Sequence, residues 1–223
     1  MLRRMMKSLV TRACTVQIPI ATAFVMLVFS FAGVSKSFGQ TAQPFGSPVY
    51  LGGKVVVAFD STTGASPGLY HSGIDYHGRL YVADFVVAAA TGVVHSITIN
   101  GNGDHGFGNC VIIRHAVVIS SSGKTYPYYT LYGHLDTIAS KLTVGQVVNK
   151  GQMLGVMGAT GEGKRDRWPG PPHLHFEVKT SGILPNPTGT GTYYGYMPKS
   201  ATNYGYVNPA TVIDSWNVVP ISR

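Results

Sequence analysis

The sequence predicts an all-β protein, built as one mostly antiparallel β-sheet domain. Charged residues make up only 12% of the 223 residues, whereas the chain contains 28 glycines and is rich in valine and tyrosine. This composition favours strands joined by many turns. The chain shows no heptad pattern, no long amphipathic helix and no tandem repeat of solenoid period. Its length suffices for one ordinary domain with a buried core.

The N-terminal segment 1–39 has the anatomy of a secretory signal peptide. A basic start precedes an uncharged stretch at 13–35, and Ser37-Phe38-Gly39, with small residues at its first and third positions, offers a cleavage site before Gln40. The uncharged stretch could also be an uncleaved membrane anchor, because roughly 20 apolar residues can span a bilayer. We favour cleavage, which leaves no stable membrane insertion. Either interpretation exports the remainder, to the periplasm or to the extracellular space and cell wall.

The charge of the chain lies mainly in this N-terminal segment. The whole sequence carries a formal charge of +8, but residues 1–39 hold five basic residues and no acid, so the remainder has twelve basic and nine acidic residues, a net +3. Such a small charge predicts no nucleic-acid partner and is compatible with an anionic cell wall. After cleavage Cys110 is the one remaining cysteine, so no internal disulfide is expected, and its apolar surroundings indicate a core residue.

The strands are predicted from short apolar runs, the first of which lies within a lead-in segment at 40–68. The strand predicted at Lys124–His134 should pair with the one that begins at Cys110, as a hairpin around Ser120–Gly123. The glycine-rich stretch 100–109 should be a loop. Within 142–157, two short β runs flank a tight turn at Asn149–Gly151. The predicted strands are Lys54–Phe59, Val82–Ala88, Gly92–Ile99, Cys110–His115 and Lys124–His134.

A long loop and a C-terminal extension complete the predicted order of elements. Residues 158–172 should form the loop, and its prolines fix where the next strand begins. The extension 186–223, rich in tyrosine, glycine and proline, is expected to pack on a core at 69–185. It contains one predicted helical turn, with Asn208 as the N-cap and Pro209 at the first position.

The main functional signal is the stretch Pro172–Val178, which has the pattern of a strand. Side chains alternate between the two faces of a strand, so His173 and His175 should share one face, with Leu174 and Phe176 on the other. Two adjacent imidazoles can bind one metal ion, or act as one ligand and one proton-transfer group.

Two further segments supply side chains of the types that bind zinc. A catalytic zinc site needs three protein ligands and one open position for water. His71, Asp75 and His175 would provide two imidazoles and one carboxylate for a single ion, which would lower the pKa of bound water to about 7. This leaves His134 and His173 to take or give a proton, to orient the water or to stabilise an oxyanion.

Motifs that the sequence lacks exclude several kinds of catalytic site. The chain has only two glutamates, Glu162 and Glu177, and no His-Glu-x-x-His motif, which excludes a zincin with a glutamate base. It also lacks a Gly-x-Ser-x-Gly elbow and a P-loop. By strand parity Glu177 shares the face of His173 and His175, where it could orient an imidazole. The alternative is a solvated acid at the end of the strand.

The remaining histidines and aromatic residues are expected to be structural. His115 should hydrogen-bond the backbone of a buried strand. The expected surface or loop histidines are His77, His95 and His105. The aromatic residues that could line a substrate groove, or only pack a sheet, are Tyr128, Tyr129, Trp168, Tyr193 and Tyr194.

Taken in order over residues 52–185, these motifs resemble the lysostaphin-like (LytM-type) zinc metallopeptidases, which cut peptide bonds of bacterial peptidoglycan. The resemblance implies a barrel-sandwich or duplicated-hybrid-like β fold with a groove over the metal, and a hairpin at 145–152. It also implies peptidoglycan peptides as the substrate. The loop at 162–171 is longer than the family's short link and could change substrate preference. The implied metal ligands are His71, Asp75 and His175, and the implied catalytic pair is His134 and His173.

The expected function is therefore that of an exported, monomeric zinc endopeptidase acting on stem peptides or cross-bridges through a zinc-activated water. A non-catalytic peptidoglycan-binding or amidase-activator module of the same fold is the alternative. All five site positions are filled, which argues against that alternative. A phosphoryl-transfer protein with paired histidines is a third possibility, which export and the Asp75 carboxylate disfavour.

Overall fold

Strands form nearly all of the regular structure in the part of the chain that can be described. The structure is a computed structural model describing residues 41–62, 68–78, 84–99, 106–119, 122–161, 164–167, 172–182 and 195–221. The strands are β1 (Gln43–Pro44), β2 (Lys54–Val57), β3 (Tyr70–His71), β4 (Ile74–His77), β5 (Phe85–Val87), β6 (Gly92–Thr98), β7 (Asn109–Ile119), β8 (Lys124–Ile138), β9 (Val147–Val148), β10 (Met153–Met157), β11 (Thr160–Gly161), β12 (Lys164–Arg167), β13 (Leu174–Lys179), β14 (Tyr196–Met197), β15 (Tyr206–Val207) and β16 (Asn217–Val219).

This content confirms the predicted all-β class. The helical structure within the described ranges consists of two 3₁₀ turns, Ala201–Tyr204 and Pro209–Thr211. The second turn begins as the sequence predicts, because the side chain of Asn208 accepts a hydrogen bond from the Ala210 N–H and Pro209 follows the cap. The predicted signal segment 1–39 lies outside the described residues. Over the residues that are described, none of the helices has the length and apolarity to span a membrane.

One antiparallel sheet carries the fold, with β8 and β13 at its centre. Its main strand order is β1-β16-β7-β8-β13-β4-β2. β7 and β8 form the predicted hairpin, with Ile119 opposite Lys124, and β8 extends beyond the predicted end to Ile138. β13 pairs with β8 on one side and with β4 on the other, so that His175 lies opposite both Gly133 and Asp75. This double pairing brings distant segments of the sequence to one place.

The core lies against the apolar face of β13. Leu174, Phe176 and Val178 are fully buried there, as the strand period predicts. The lead-in also contributes, because Phe45 is fully buried and its ring lies 5.0 Å from that of His115. Cys110 is a buried free cysteine, and burial raises its pKa to about 12, which fits a packing role.

Two loop regions differ from the predictions. The short runs β9 and β10 flank the predicted turn but do not form the implied hairpin, since β9 pairs with β6 while β10 pairs with β5 and β8. The turn between them is held by another segment, because the Gly151 N–H donates to the Ala88 carbonyl over 2.8 Å. The predicted loop 158–172 contains a short ribbon, in which β11 pairs with β12.

A buried hydrogen-bond network runs through the sheet around His115. Its Nδ1 donates to the Thr91 carbonyl over 2.9 Å, and its Nε2 lies 2.8 Å from the Thr130 hydroxyl. The hydroxyls of Thr130 and Tyr132 lie 3.1 Å apart, and the Ala89 N–H donates to the Tyr132 oxygen over 2.9 Å. A neutral His115 satisfies both of its ring contacts without adding a buried charge.

This hydrogen-bond network makes the stability of the protein depend on pH. Burial lowers the pKa of His115 to about 4, despite the opposing effect of its bond to the Thr91 carbonyl. The unfolded chain binds that proton nearer pH 6.5, so the free energy of unfolding falls as the pH drops from 6.5 to 4. We expect His115 to account for a loss of about 2 kcal/mol between pH 7.5 and 5.0.

Urea unfolding of the wild type and His115→Gln at both pH values, with chelator throughout, measures this contribution. The substitution should lower stability at pH 7.5 and flatten the dependence on pH. An equal difference between the two proteins at both pH values would contradict the assignment.

Candidate metal centre

His71 lies on a short strand that is held on both sides. Its N–H donates to the Ser61 carbonyl and its carbonyl accepts from the Asp60 N–H, while β14 pairs with its strand from the other side. The side chain is fully buried, and its Nδ1 donates to the Ala58 carbonyl over 3.2 Å. Because a carbonyl can only accept, this bond places the proton on Nδ1 and leaves a lone pair on Nε2.

His175 is oriented in the same manner by a carboxylate. Its Nε2 lies 3.1 Å from Oε1 of Glu177, which also accepts from the Ser72 hydroxyl over 2.7 Å. Burial alone would raise the pKa of Glu177, but the charge of Lys179 and the bonds from His175 and Ser72 lower it to about 2. The ionised carboxylate accepts the Nε2 proton, so the Nδ1 of His175 is the nitrogen available to a metal.

Three acceptor atoms therefore converge on one buried point. Oδ1 of Asp75 lies 2.9 Å from Nδ1 of His175 and 3.2 Å from Nε2 of His71, and the two nitrogens are 3.1 Å apart. Tetrahedral ligands at zinc-like bond lengths lie about 3.3 Å apart. The three residues are the candidate metal-binding group among the described residues. Their donor types and spacing fit a zinc ion.

A proton can occupy this point when no metal is bound. Burial alone would lower the pKa of His175, but the carboxylates of Asp75 and Glu177 raise it to about 9. Burial alone would raise the pKa of Asp75, but its contacts with His175 and His71 hold it well below its ordinary value. A cation between the three atoms would stabilise their close approach, and a metal ion that bound there would displace the proton.

His134 lies beside this group because of a β-bulge. The β7–β8 register shifts between Asn109 and Val111, and His134 adopts a left-handed backbone conformation with φ +59°. Its ring is 6.0 Å from that of His175, and its Nδ1 donates to the Thr160 carbonyl over 2.6 Å. Burial, and then the nearby histidines, lower the pKa of His134 to about 3, so it is neutral with its lone pair on Nε2.

His173 completes the set of predicted site residues. It precedes β13, where its N–H donates to the Gly158 carbonyl over 2.9 Å. Its ring lies 4.7 Å from that of His134. The structure thus brings all five predicted residues together, three as the converging group and two as a pair of histidines beside it.

Three further residues beside the ligand group are not indicated by the sequence motifs. The ring of Phe107 stacks on His175 at 5.0 Å, and Ser72 and Lys179 hold the carboxylate of Glu177. Strand parity could have indicated Lys179, which shares the face of His175 and Glu177. The solvated alternative for Glu177 is wrong, because its side chain is fully buried.

By fold and site, this protein is an all-β domain with a candidate single-metal centre and a histidine pair beside it. It belongs to peptidase family M23, whose sequence model matches residues 69–187, more than half of the chain. This match confirms the resemblance drawn from the motifs. No curated protein sequence matches the chain significantly.

Solved structures similar to this chain include a zinc-containing peptidase from Vibrio cholerae, with 28% identity over 61% of this chain and 37% of that one, at a TM-score of 0.45. The chain thus spans little more than a third of that peptidase. The catalytic domain of lysostaphin from Staphylococcus simulans has 20% identity over 71% and 90% of the two chains, at 0.46. The SpoIIQ–SpoIIIAH pore-forming complex has 19% identity over 78% and 93%, at 0.48. The family assignment rests on the sequence model alone.

Proposed function

We propose that this protein is an exported zinc-dependent endopeptidase that hydrolyses peptide bonds of bacterial peptidoglycan. The observation that carries the proposal is the pair His134 and His173 beside a converging His-Asp-His group. Membership of a peptidase family supports peptide-bond hydrolysis as the reaction. The basic and apolar pattern of segment 1–39 supports export.

The residues that would hold the metal are His71, Asp75 and His175. A bound zinc ion would lower the pKa of a water molecule to about 7 and polarise the carbonyl of a peptide bond. The ligand set carries one carboxylate, so the centre keeps a net positive charge for this purpose. Phe107 and the strands around the site limit the access of bulk water to the ligands.

His134 is assigned the role of the proton acceptor. Its bond to the Thr160 carbonyl fixes the tautomer and leaves the lone pair on Nε2. A base in that state can take a proton from water and pass it to the leaving amine. His173, next to it, is assigned to orient the water or to donate a hydrogen bond to the developing oxyanion.

The test uses residues 40–223, since every described strand lies within 41–221. The protein is incubated with peptidoglycan preparations that differ in stem peptide and cross-bridge, with and without chelator, and the fragments are identified by mass spectrometry. We expect new fragments that disappear with chelator and return with zinc, and their termini identify the bond. Zinc binding without fragments from any preparation would overturn the enzyme proposal in favour of a binding module.

Gly161→Ala is expected to separate hydrolysis from metal binding. Gly161 has φ +152°, and a Cβ there would lie 2.5 Å from the Gly106 carbonyl oxygen and 2.8 Å from Nδ1 of His134. The added methyl group should displace that ring and lower kcat/KM by about 100-fold, because small misplacements of a catalytic group cost that much. Zinc stoichiometry should remain at one ion per chain.

The control is Gly145→Ala, where φ is +82° and a Cβ would meet no atom within 4 Å. Both substitutions strain the backbone, but only the first one reaches a catalytic residue. Equal loss of kcat/KM in the two variants would show that backbone strain, not His134, is responsible.

A further inference from the structure

The short strand β14, Tyr196–Met197, reaches the metal site from outside the region that the family model matches. That region ends at residue 187. β14 pairs with β3, placing Tyr196 opposite His71, and the Ser72 N–H donates to the Gly195 carbonyl over 2.8 Å. The C-terminal extension thus supplies backbone partners to the strand that carries the first metal ligand.

The same segment packs against two of the three ligands. The ring of Tyr196 lies 5.1 Å from that of His71. Gly195 is buried, and a Cβ built on it would lie 3.1 Å from Cε1 of His175. One ligand is therefore supported by a side chain of the extension, while a side chain at position 195 would crowd the other.

Asp60 ties this segment to the ligand strand. Its N–H donates to the His71 carbonyl over 2.8 Å. Its carboxylate accepts from the Ser200 hydroxyl over 2.6 Å and from the Ala201 N–H over 2.7 Å. Met197 of β14 is buried in a small cluster with Ala201 and Tyr206. One residue thus binds the backbone of the ligand strand and the backbone of the extension.

We propose that the C-terminal extension completes the metal centre, with Tyr196 and Gly195 as positioning residues for His71 and His175. In each of these two rings, the nitrogen that points away from the converging point makes a hydrogen bond within the protein. Rotation of the ring about that bond must therefore be limited by packing. Metal sites need ligand orientations held within about 10–20°. The extension supplies that restraint. This inference rests on the proposed metal site and not on hydrolysis.

Gly195→Ala and Gly145→Ala form a matched pair for the test. Their φ angles are +83° and +82°, so backbone strain is equal, but only the Cβ at 195 meets a ligand ring. Zinc affinity of the purified full-length protein is measured by competition with a chromogenic chelator. We expect the dissociation constant of Gly195→Ala to rise about 10–100-fold, the range for lost ligand orientation, and that of Gly145→Ala to stay near the wild-type value.

Tyr196→Ala and Tyr196→Phe test the contribution of the ring. The alanine variant should weaken zinc binding and alter the visible absorption bands of the cobalt-substituted protein, which report ligand geometry. The phenylalanine variant should retain both properties. If phenylalanine is as weak as alanine, ring packing is not the cause and the role of Tyr196 is overturned.

Asp60→Ala supplies a readout that needs neither metal nor substrate. Release of the extension should expose the Ser72 amide, which donates to Gly195, and increase its rate of hydrogen exchange. If Gly195→Ala binds zinc like its control and exchange at Ser72 is unchanged in Asp60→Ala, the inference fails, whatever the protein hydrolyses. If the wild type binds zinc but cuts no peptidoglycan, the proposed function fails while this inference still stands.

Discussion

Replacing His175 by alanine is expected to abolish zinc binding and hydrolysis together. Its Nδ1 is one of three acceptor atoms within 3.2 Å of one another, and no other described residue is positioned to replace it. His134→Ala should instead lower hydrolysis to the level seen with chelator while one zinc ion stays bound. The reason is that the ring of His134 lies beside the ligand group and contributes no atom to it.

Metal analysis after gel filtration and peptidoglycan digestion measure the two effects on the same samples. His95→Ala is the control, because His95 is exposed on β6 and its ring contacts Tyr129, away from the ligand group. That variant should retain zinc and activity. Hydrolysis by either His175→Ala or His134→Ala would refute the assigned roles.

Glu177→Gln is expected to have two separable effects. Glu177 and Lys179 are buried, with Nζ of the lysine 3.2 Å from Oε2 of the glutamate. Neutralising the glutamate leaves a buried ammonium without its charge partner, which should lower the free energy of unfolding by about 3–5 kcal/mol. It also weakens the acceptor that orients His175, and loss of such a partner typically reduces metal affinity 10–100-fold.

The double variant Glu177→Gln/Lys179→Met distinguishes these effects. Removing the lysine charge should restore most of the stability in urea unfolding, because no unpaired charge stays buried. Zinc affinity should remain low, because His175 still lacks a carboxylate partner. Recovery of zinc affinity together with stability would mean that Glu177 acts only through the fold.

The sequence predicted which residues lie close together better than it predicted how they are arranged. Alternation along one strand was enough to place His173, His175 and Glu177 on one face, because the period of a strand is a local property. The family assignment followed from ordered motifs of the same kind. These signals depend on neighbours in the sequence, which is why they could be found there.

The arrangement depends on contacts that local patterns do not encode. The bulge that turns His134 toward the ligand group arises from the pairing of β7 with β8, and the sequence near His134 does not predict it. The approach of Tyr196 to His71 joins residues that are far apart in the chain. The runs at β9 and β10 had the pattern of a hairpin, but each found a different partner strand in the sheet.

The separation of the ligands along the chain has a consequence for folding. His175 lies 100 residues from Asp75 and 104 from His71, and the three meet only through the pairing of β13 with β4. Closing a loop of that length costs about 4 kcal/mol of chain entropy, which the contacts formed afterwards must offset. A partly folded chain therefore has no complete ligand set. The full ligand set would therefore bind a metal ion only after β13 has paired with β4. A bound ion would stabilise that strand pairing, which encloses the longest loop.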